Sequence, residues 1–577
     1  MTRSYVTPTF PPFEAFSPAR PDDLSLQKTF QQLRDRLAQK DYEGAIRGYD
    51  YLRRSYESWG ALANLRFAQD TAAPSRQADK AHLDRVAQSA TRYDMAFRQA
   101  LLEEPHRSAA QEVLGQHILA LWACEAGTFS AQITPELQEE ARLCNEYTAL
   151  LAGAEISLLG QSVTLSTIPA YLESSDRAVR HQAEQARWKF FEETGERLDQ
   201  MFDHLVRLRT TMARKLGFKT YTELAYRRLR RTGYGPEQVS LFREHTKKHI
   251  SPLIAHILQQ RQRAMGWESL YAWDEALVDP QGNPLPLHGR DALAGRARIM
   301  FDRLDPTGEF GAFYKALKSG GYMDLDSRAG KAAGGFCTVF AETGAPFIFA
   351  NFNGTHNDLG IFTHEMGHAY QTWKASGLPW IDQIWPTMDA AEIPSMSLEF
   401  LIWPHIGDLL ANPAEVDRYC RMHLINAVSF FPYGACVDHF EHDVYAHPDM
   451  TPAERRVLWR NLEKSYMPWR QWGDLSHPAA GGRWHAQAHV FRMPFYYLNY
   501  GLAQCSALQL WGRSRKDHAA AFETYRHLCA SGGSKPMVDL LEEARLVPPF
   551  DETVLRAIAQ DVSEYLSLPA TGGDSLP

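Results

Sequence analysis

The chain has 577 residues, 44% hydrophobic and 23% charged, with a formal net charge of -8 at pH 7. That is the composition of a large globular protein with ample core, and it argues against nucleic acid or an anionic membrane as partner, since both call for a basic surface. Seven scattered cysteines with no C-x-x-C pair exclude a disulfide scaffold or a zinc–thiolate site. An N-terminus without an apolar signal segment, and the lack of any apolar run of about 18 residues, set the expectation of a cytoplasmic protein.

Residues 1–22 carry Pro8, Pro11, Pro12, Pro18 and Pro21 and read as an extended arm. From about 23 to 268 the chain is rich in Ala, Leu, Gln, Arg and Glu and reads as helix. Apolar residues at three-four spacing predict helices over 81–101, 109–126, 134–157 and 179–216. Breaks fall at Asp41-Tyr42-Glu43-Gly44 and at Ile168-Pro169. The basic run Arg227–Arg231 reads as a solvated helix end, with cations near a helix C-terminus. The Pro- and Gly-dense stretch 272–288 predicts a long loop, with a helix at about 289–303 and another closing near Ser319.

Next comes the one strand-like region. Residues 334–341 and 345–352 are β-branched and aromatic, separated by Glu342-Thr343-Gly344, and predict two strands of a hairpin. Pro346 puts the start of its strand there, or puts the strand at an edge. An exposed edge would pair with an extended peptide by strand addition; the alternative is an ordinary covered hairpin. From 389 onward the chain is helical again, with turns near Asn412-Pro413, His447-Pro448, Ser476-His477-Pro478 and Ser531–Ser534.

Between the strands and the last helices lies Thr355–Gly377, which contains His364-Glu365-Met366-Gly367-His368. On a helix, residues four apart share a face, so two imidazoles can grip one metal ion while the Glu between them reaches a water at that ion. The helix stands on independent signals. Thr355 and Asp358 have the spacing of a capping pair, and Gly377 sits at a C-cap position. Leu359, Phe362, Met366, Tyr370 and Trp373 form an apolar stripe that excludes both histidines.

A catalytic zinc site needs a third protein ligand and an open position. Glu392 is the candidate, 24 residues (392 − 368) after His368. Its alternative is a capping pair with Asp389, although Pro394 then has to fall in the first turn. Glu399 lies two turns further along the same face and either orients a ligand histidine or is a surface charge; Asp358 is a second candidate for that orienting role. The stretch from His485 through His489 to Tyr496, Tyr497 and Tyr500 offers hydrogen-bond donors for a developing oxyanion, or simply packs core with polar tips.

These residues resemble the M3 family of zinc peptidases. The resemblance is carried by Asn351–His368, by Glu392-Ile393-Pro394-Ser395, by His489-Val490-Phe491 with Pro494–Tyr500, and by Cys529–Ser534 followed by Ala544–Phe550, in the family's order. It spans roughly 200–565, and the tyrosine segment is similar to the oligoendopeptidase F and Pz-peptidase branch. That segment lacks the His-x-x-Gly-Tyr loop of thimet-type members. The resemblance implies a mainly α, two-lobed fold with a small β-sheet beside the active-site helix and a deep channel for short unstructured peptides. It implies an N-terminal helical region over 1–195 and a catalytic domain over 196–577. It also implies one Zn²⁺ held by His364, His368 and Glu392, with Glu365 as general base and His489 and Tyr496 as oxyanion donors, Tyr497 and Tyr500 standing behind. The expected activity is cleavage of internal bonds in short peptides. Dipeptidyl carboxypeptidase activity, a peptide-binding channel without turnover and a zinc hydrolase of non-peptide substrates are the alternatives.

Overall fold

The computed structural model describes residues 8–279, 281–282, 284, 287, 290–352 and 357–568. Helices dominate, as the composition predicts. Nine are numbered here: α1 (Tyr42–Gln69), α2 (Thr134–Ala152), α3 (Arg177–Lys215), α4 (Ser251–Ala264), α5 (Asn357–Ala375), α6 (Glu392–Leu401), α7 (Val416–Ala446), α8 (Leu498–Ser514) and α9 (His518–Ser531). The strands are β1 (Ile156–Leu158), β2 (Gln161–Val163), β3 (Met323–Asp326), β4 (Phe336–Phe340) and β5 (Ala345–Phe352).

The chain forms two compact units, each discontinuous in sequence. The first comprises 1–127, 284–416 and 506–546; the second comprises 128–283, 417–505 and 547–577. In the first unit, β3, β5 and β4 form a sheet in that order, β3 parallel and β4 antiparallel to β5. Ala345–Ala350 are all buried, as a central strand covered on both faces requires. Helix α5 packs on this sheet, and α6 and α9 pack on α5. The loop after β3 is tied back by Lys331, whose side chain is fully buried and whose Nζ donates to Asp324 Oδ1 (2.9 Å) and the Asp326 carbonyl (2.8 Å). The start of β4 is thereby fixed beside α5.

In the second unit, α3 and α7 are the longest helices. Arg209 of α3 is fully buried, donating to Glu140 (2.6 Å), to Tyr445 Oη of α7 (3.0 Å) and to the Phe491 carbonyl. One guanidinium thus joins three elements and spends its donors on groups that would otherwise be orphaned.

Several expectations are corrected. The helix read over 134–157 ends at Ala152, and Ile156–Leu158 pairs with Gln161–Val163 as a second hairpin, so 334–352 is not the one strand region. Helix 109–126 is interrupted at Gly115, whose φ of 80° lies in the left-handed region that glycine tolerates. Strand β3 carried no sequence signal of its own. Pro346 is the second residue of its strand, as one reading held, but that strand is central rather than an edge; the missing N–H is tolerated at the strand's beginning. The capping role given to Thr355 lies outside the described residues. Gly377 follows the end of α5 but is not left-handed. The basic run is not all solvated: Arg231 is buried and Arg228 pairs with Glu140 (3.1 Å).

Candidate metal centre and active site

His364 and His368 project from one face of α5, their ring centroids 4.9 Å apart and nearly perpendicular. Helix α6 brings Glu392 to them. Its Oε2 lies 3.1 Å from His364 Nε2 and 3.3 Å from His368 Nε2. Among the described residues these three form the one cluster whose ligand atoms converge within 4.8 Å. Glu392 is the first residue of α6, whose N-cap is Ala391, so the pairing with Asp389 across an N-cap is not formed. Pro394 falls in the first turn, where its missing N–H costs nothing. Ser395 Oγ donates to Glu392 Oε2 (3.0 Å) and fixes its rotamer.

Glu399, two turns along α6, accepts from His364 Nδ1 at 2.8 Å. With one proton held on Nδ1, Nε2 is the nitrogen that faces Glu392, and it would lend its lone pair to a metal on giving up its own proton. Asp358 is buried near the start of α5. Burial opposes charge on His364, yet the Glu392 and Glu399 carboxylates more than offset it and hold its pKa well above the usual range. Burial likewise opposes charge on Glu392, and the two histidines overcome it, holding this carboxyl well below its usual value. Glu365 behaves oppositely: burial dominates and raises its pKa, with His368 and His364 only partly countering.

Two imidazole nitrogens and one carboxylate oxygen are the donor set of a catalytic zinc site with an open position. The residues fit that ion on a further ground. Glu365 is buried, and its Oε2 has no hydrogen-bond partner, an arrangement expected of a carboxylate reserved for another molecule. It faces the beginning of β4, since a Cβ placed on Gly335 would stand 3.8 Å from Glu365 Oε1.

In the second unit, His489, Tyr496, Tyr497 and Tyr500 form a ring cluster. The His489 and Tyr496 rings are nearly parallel, 5.8 Å apart, and Tyr497 and Tyr500 lie 4.8 and 6.1 Å from His489. Tyr433 Oη donates to Gln487 Oε1 (3.0 Å), and Gln487 Nε2 donates to His489 Nδ1 (2.8 Å). That relay leaves the imidazole proton on Nε2. Burial, helped by Arg492, lowers the His489 pKa to about 4, so at neutral pH it is an uncharged N–H donor. Phe495, just before Tyr496, has a φ of 67°. This left-handed backbone, unfavourable for a bulky residue, is clamped on both sides. Its N–H donates to Glu441 Oε2 (2.9 Å), and its carbonyl accepts from Arg231 Nη2 (2.6 Å), which also reaches Asn499 Oδ1 (2.8 Å). His485, by contrast, is fully buried between Asp199 (2.9 Å) and His477 (3.2 Å) and is a framework residue.

The sequence reading missed Gln487, Glu441, Arg231 and Gly367. Only Gly367, inside the motif, carried a local signal: a glycine in a helix interior costs stability and asks for a packing reason.

A mainly helical chain with His-Glu-x-x-His on one helix and a carboxylate closing the cluster from a second has the arrangement expected of a helical metallopeptidase. Comparison with known proteins specifies the family. The model of peptidase family M3 matches residues 170–283 and 310–560, and the peptidase M3 N-terminal domain matches 13–129, so the chain belongs to peptidase family M3. Its structure is similar to that of PZ peptidase A with an inhibitor (TM-score 0.88, 35% identity, 97% of this chain and 99% of that one). It is also similar to a structure described as oligoendopeptidase F (0.88, 37%, 97% and 99%), and to one so described from Bacillus anthracis strain Ames (0.84, 32%, 97% and 99%). Among curated proteins it is 23% identical over 296 residues to group B oligopeptidase PepB of Streptococcus agalactiae, covering 50% of this chain and 45% of the relative. It is 24% identical over 347 residues to oligopeptidase A of Haemophilus influenzae, covering 46% and 48%. The chain thus spans about half the length of the curated relatives it matches. No helix among the described residues is long and apolar enough to cross a membrane.

Proposed function

We propose that this chain is a zinc-dependent oligoendopeptidase that hydrolyses internal bonds of short, unstructured peptides. The observation that carries this reading is the convergence of His364, His368 and Glu392 beside a buried carboxylate with an unpaired oxygen, Glu365 Oε2. The three residues hold one Zn²⁺, which when bound supplies Lewis-acid polarisation of the scissile carbonyl and acidifies the attacking water. Glu365 Oε2 accepts the proton of that water and delivers it to the leaving amine nitrogen. Glu399 keeps the His364 proton on Nδ1 throughout, so Nε2 stays a ligand. His489 Nε2–H and the Tyr496 hydroxyl donate to the oxyanion as charge develops there, and the neutral imidazole donates without becoming an acid at working pH. Strand β4 is the edge of its sheet and begins beside Glu365, so the substrate backbone adds to it as an extended strand.

The test is digestion of a mixed pool of short peptides, with products identified by mass spectrometry. Chelator-sensitive cleavage at internal bonds is expected. Release of dipeptides from C-termini alone would reassign the enzyme as a dipeptidyl carboxypeptidase. Peptide binding without any cleavage by the zinc-loaded protein would make it a peptide-capturing protein.

A further inference from the structure

Four of the arginines buried in the second unit are paired with carboxylates. Arg180 pairs with Asp274, Arg209 with Glu140, Arg243 with Asp438 and Arg455 with Asp203. Arg261, on the last turns of α4, is only 9% exposed and has no carboxylate of the described residues within ion-pair distance. The two acids nearest in charge terms are already committed, Glu275 to Arg470 and Asp274 to Arg177 and Arg180. Arg261 Nη1 donates to the Leu277 and Glu275 carbonyls (2.6 and 3.3 Å). Its Nε has no partner among the described residues. Burial lowers its pKa to about 10, the sign of a cation whose surroundings do not compensate its lost hydration. A buried charge in that condition is costly, and an anion beside it removes the cost.

Arg261 lines a cavity of about 310 Å³ between α4, the beginning of α7 and the C-terminal residues Leu566 and Leu568. Its walls are mostly apolar, with Ile257, Met422 and Ile425 among them, and Gln260 and Asp279 are also part of its lining. A second guanidinium stands at the mouth: Arg421 is exposed, and among the described residues it donates to the Leu566 carbonyl (3.2 Å). Arg418 is spent on Asp279 (2.7 Å). The cavity has the size of a small-ligand site, with an apolar body and few polar groups. Two guanidiniums without a carboxylate partner among the described residues, over a mostly apolar pocket, match a carboxylate attached to an apolar body.

We propose that this cavity binds a medium-chain fatty acid, its carboxylate between Arg261 and Arg421 and its chain against Ile257, Met422 and Ile425. The site is separate in its residues from the metal cluster, so it stands whether or not the peptidase reading holds.

The experiment is calorimetric titration of the full chain with decanoate, decanol and N-acetyl-leucyl-leucine, repeated with Arg421→Gln and Arg261→Met. Decanoate is expected to saturate one site, at least tenfold tighter than decanol. Arg421→Gln is expected to weaken decanoate at least tenfold and Arg261→Met to abolish its binding, circular dichroism reporting that each variant is folded. A carboxylate held at the metal centre would be indifferent to both substitutions. Failure to saturate, equal affinity for decanol, or unchanged affinity in Arg421→Gln overturns the proposal. Tighter binding of the acetylated dipeptide than of decanoate overturns the fatty-acid assignment in favour of a peptide carboxylate. Should Arg261→Met fail to fold, the Arg421→Gln comparison decides alone.

Discussion

Gly367 of α5 and Ser395 of α6 meet backbone to backbone. A Cβ built on Gly367 would lie 2.5 Å from Ser395 Cα and 2.7 Å from the Pro394 carbonyl oxygen. This contact sets how closely α6 approaches α5, and so sets the reach of Glu392 to His364 and His368. The glycine between the two motif histidines is therefore what lets Glu392 reach them from another helix.

Gly367→Ala is expected to force the two helices apart, because the obstructing atoms are backbone and cannot swing away. Overpacking of this kind costs about 1–3 kcal/mol. Zinc affinity, measured by competition with a chromophoric chelator, should fall more than that of a substitution with the same loss of thermal stability elsewhere in the first unit. Unchanged affinity would mean that Glu392 is not held in place by this contact.

Glu365→Gln is expected to keep the metal and lose at least about a hundredfold in kcat, the scale of a positioned general base. The amide fills the same space but accepts no proton. Elemental analysis after dialysis and steady-state kinetics check the two halves, and near wild-type turnover would remove Glu365 from the mechanism.

Glu399 touches His364 and not the cluster centre, so its loss should act through orientation. Glu399→Ala is expected to lower metal affinity by about 10–100-fold, with Glu399→Gln recovering part through its carbonyl oxygen. Equal losses in both variants would point to charge rather than to the hydrogen bond.

The clamp on Phe495 predicts a split between binding and turnover. Glu441→Leu leaves the Phe495 N–H without its acceptor and lets the backbone relax from φ 67°, carrying Tyr496 with it. If Tyr496 serves the transition state, kcat falls while KM changes little, and Glu441→Gln, which retains an acceptor, restores most of the rate. Parallel changes in kcat and KM in both variants would assign the clamp to stability alone.

Stability in acid is governed in part by His477, which burial, with help from His485 and Arg456, holds at a pKa of about 3. The unfolded chain takes up this proton near pH 6.5 and the folded one does not. The contribution is therefore full above about pH 6.5 and is lost as pH falls from there toward 3. Urea midpoints should drop from pH 7 to pH 4.5, and His477→Gln should show a shallower fall over that window. Identical slopes would show that folding does not hold the His477 pKa below that of the unfolded chain.

The sequence by itself determined the elements whose signals are local. The spacing of His364, Glu365 and His368 and the apolar stripe beside them define α5 and its two faces, because helical periodicity alone puts those side chains where they are. The β4–β5 hairpin was equally legible from its apolar run and its Glu342-Thr343-Gly344 turn. What tertiary structure decided is whatever depends on approach between distant segments. Glu392 stood open between ligand and cap until the Gly367 contact placed it against both imidazoles. Glu399, open between orienting residue and surface charge, is joined to His364. Strand β3 exists because β5 offers a partner, not because four residues with two aspartates favour a strand. The basic run of 227–231 gave no hint that Arg231 would be buried to hold Phe495, since a charge is stabilised inside a protein only by partners that folding brings to it.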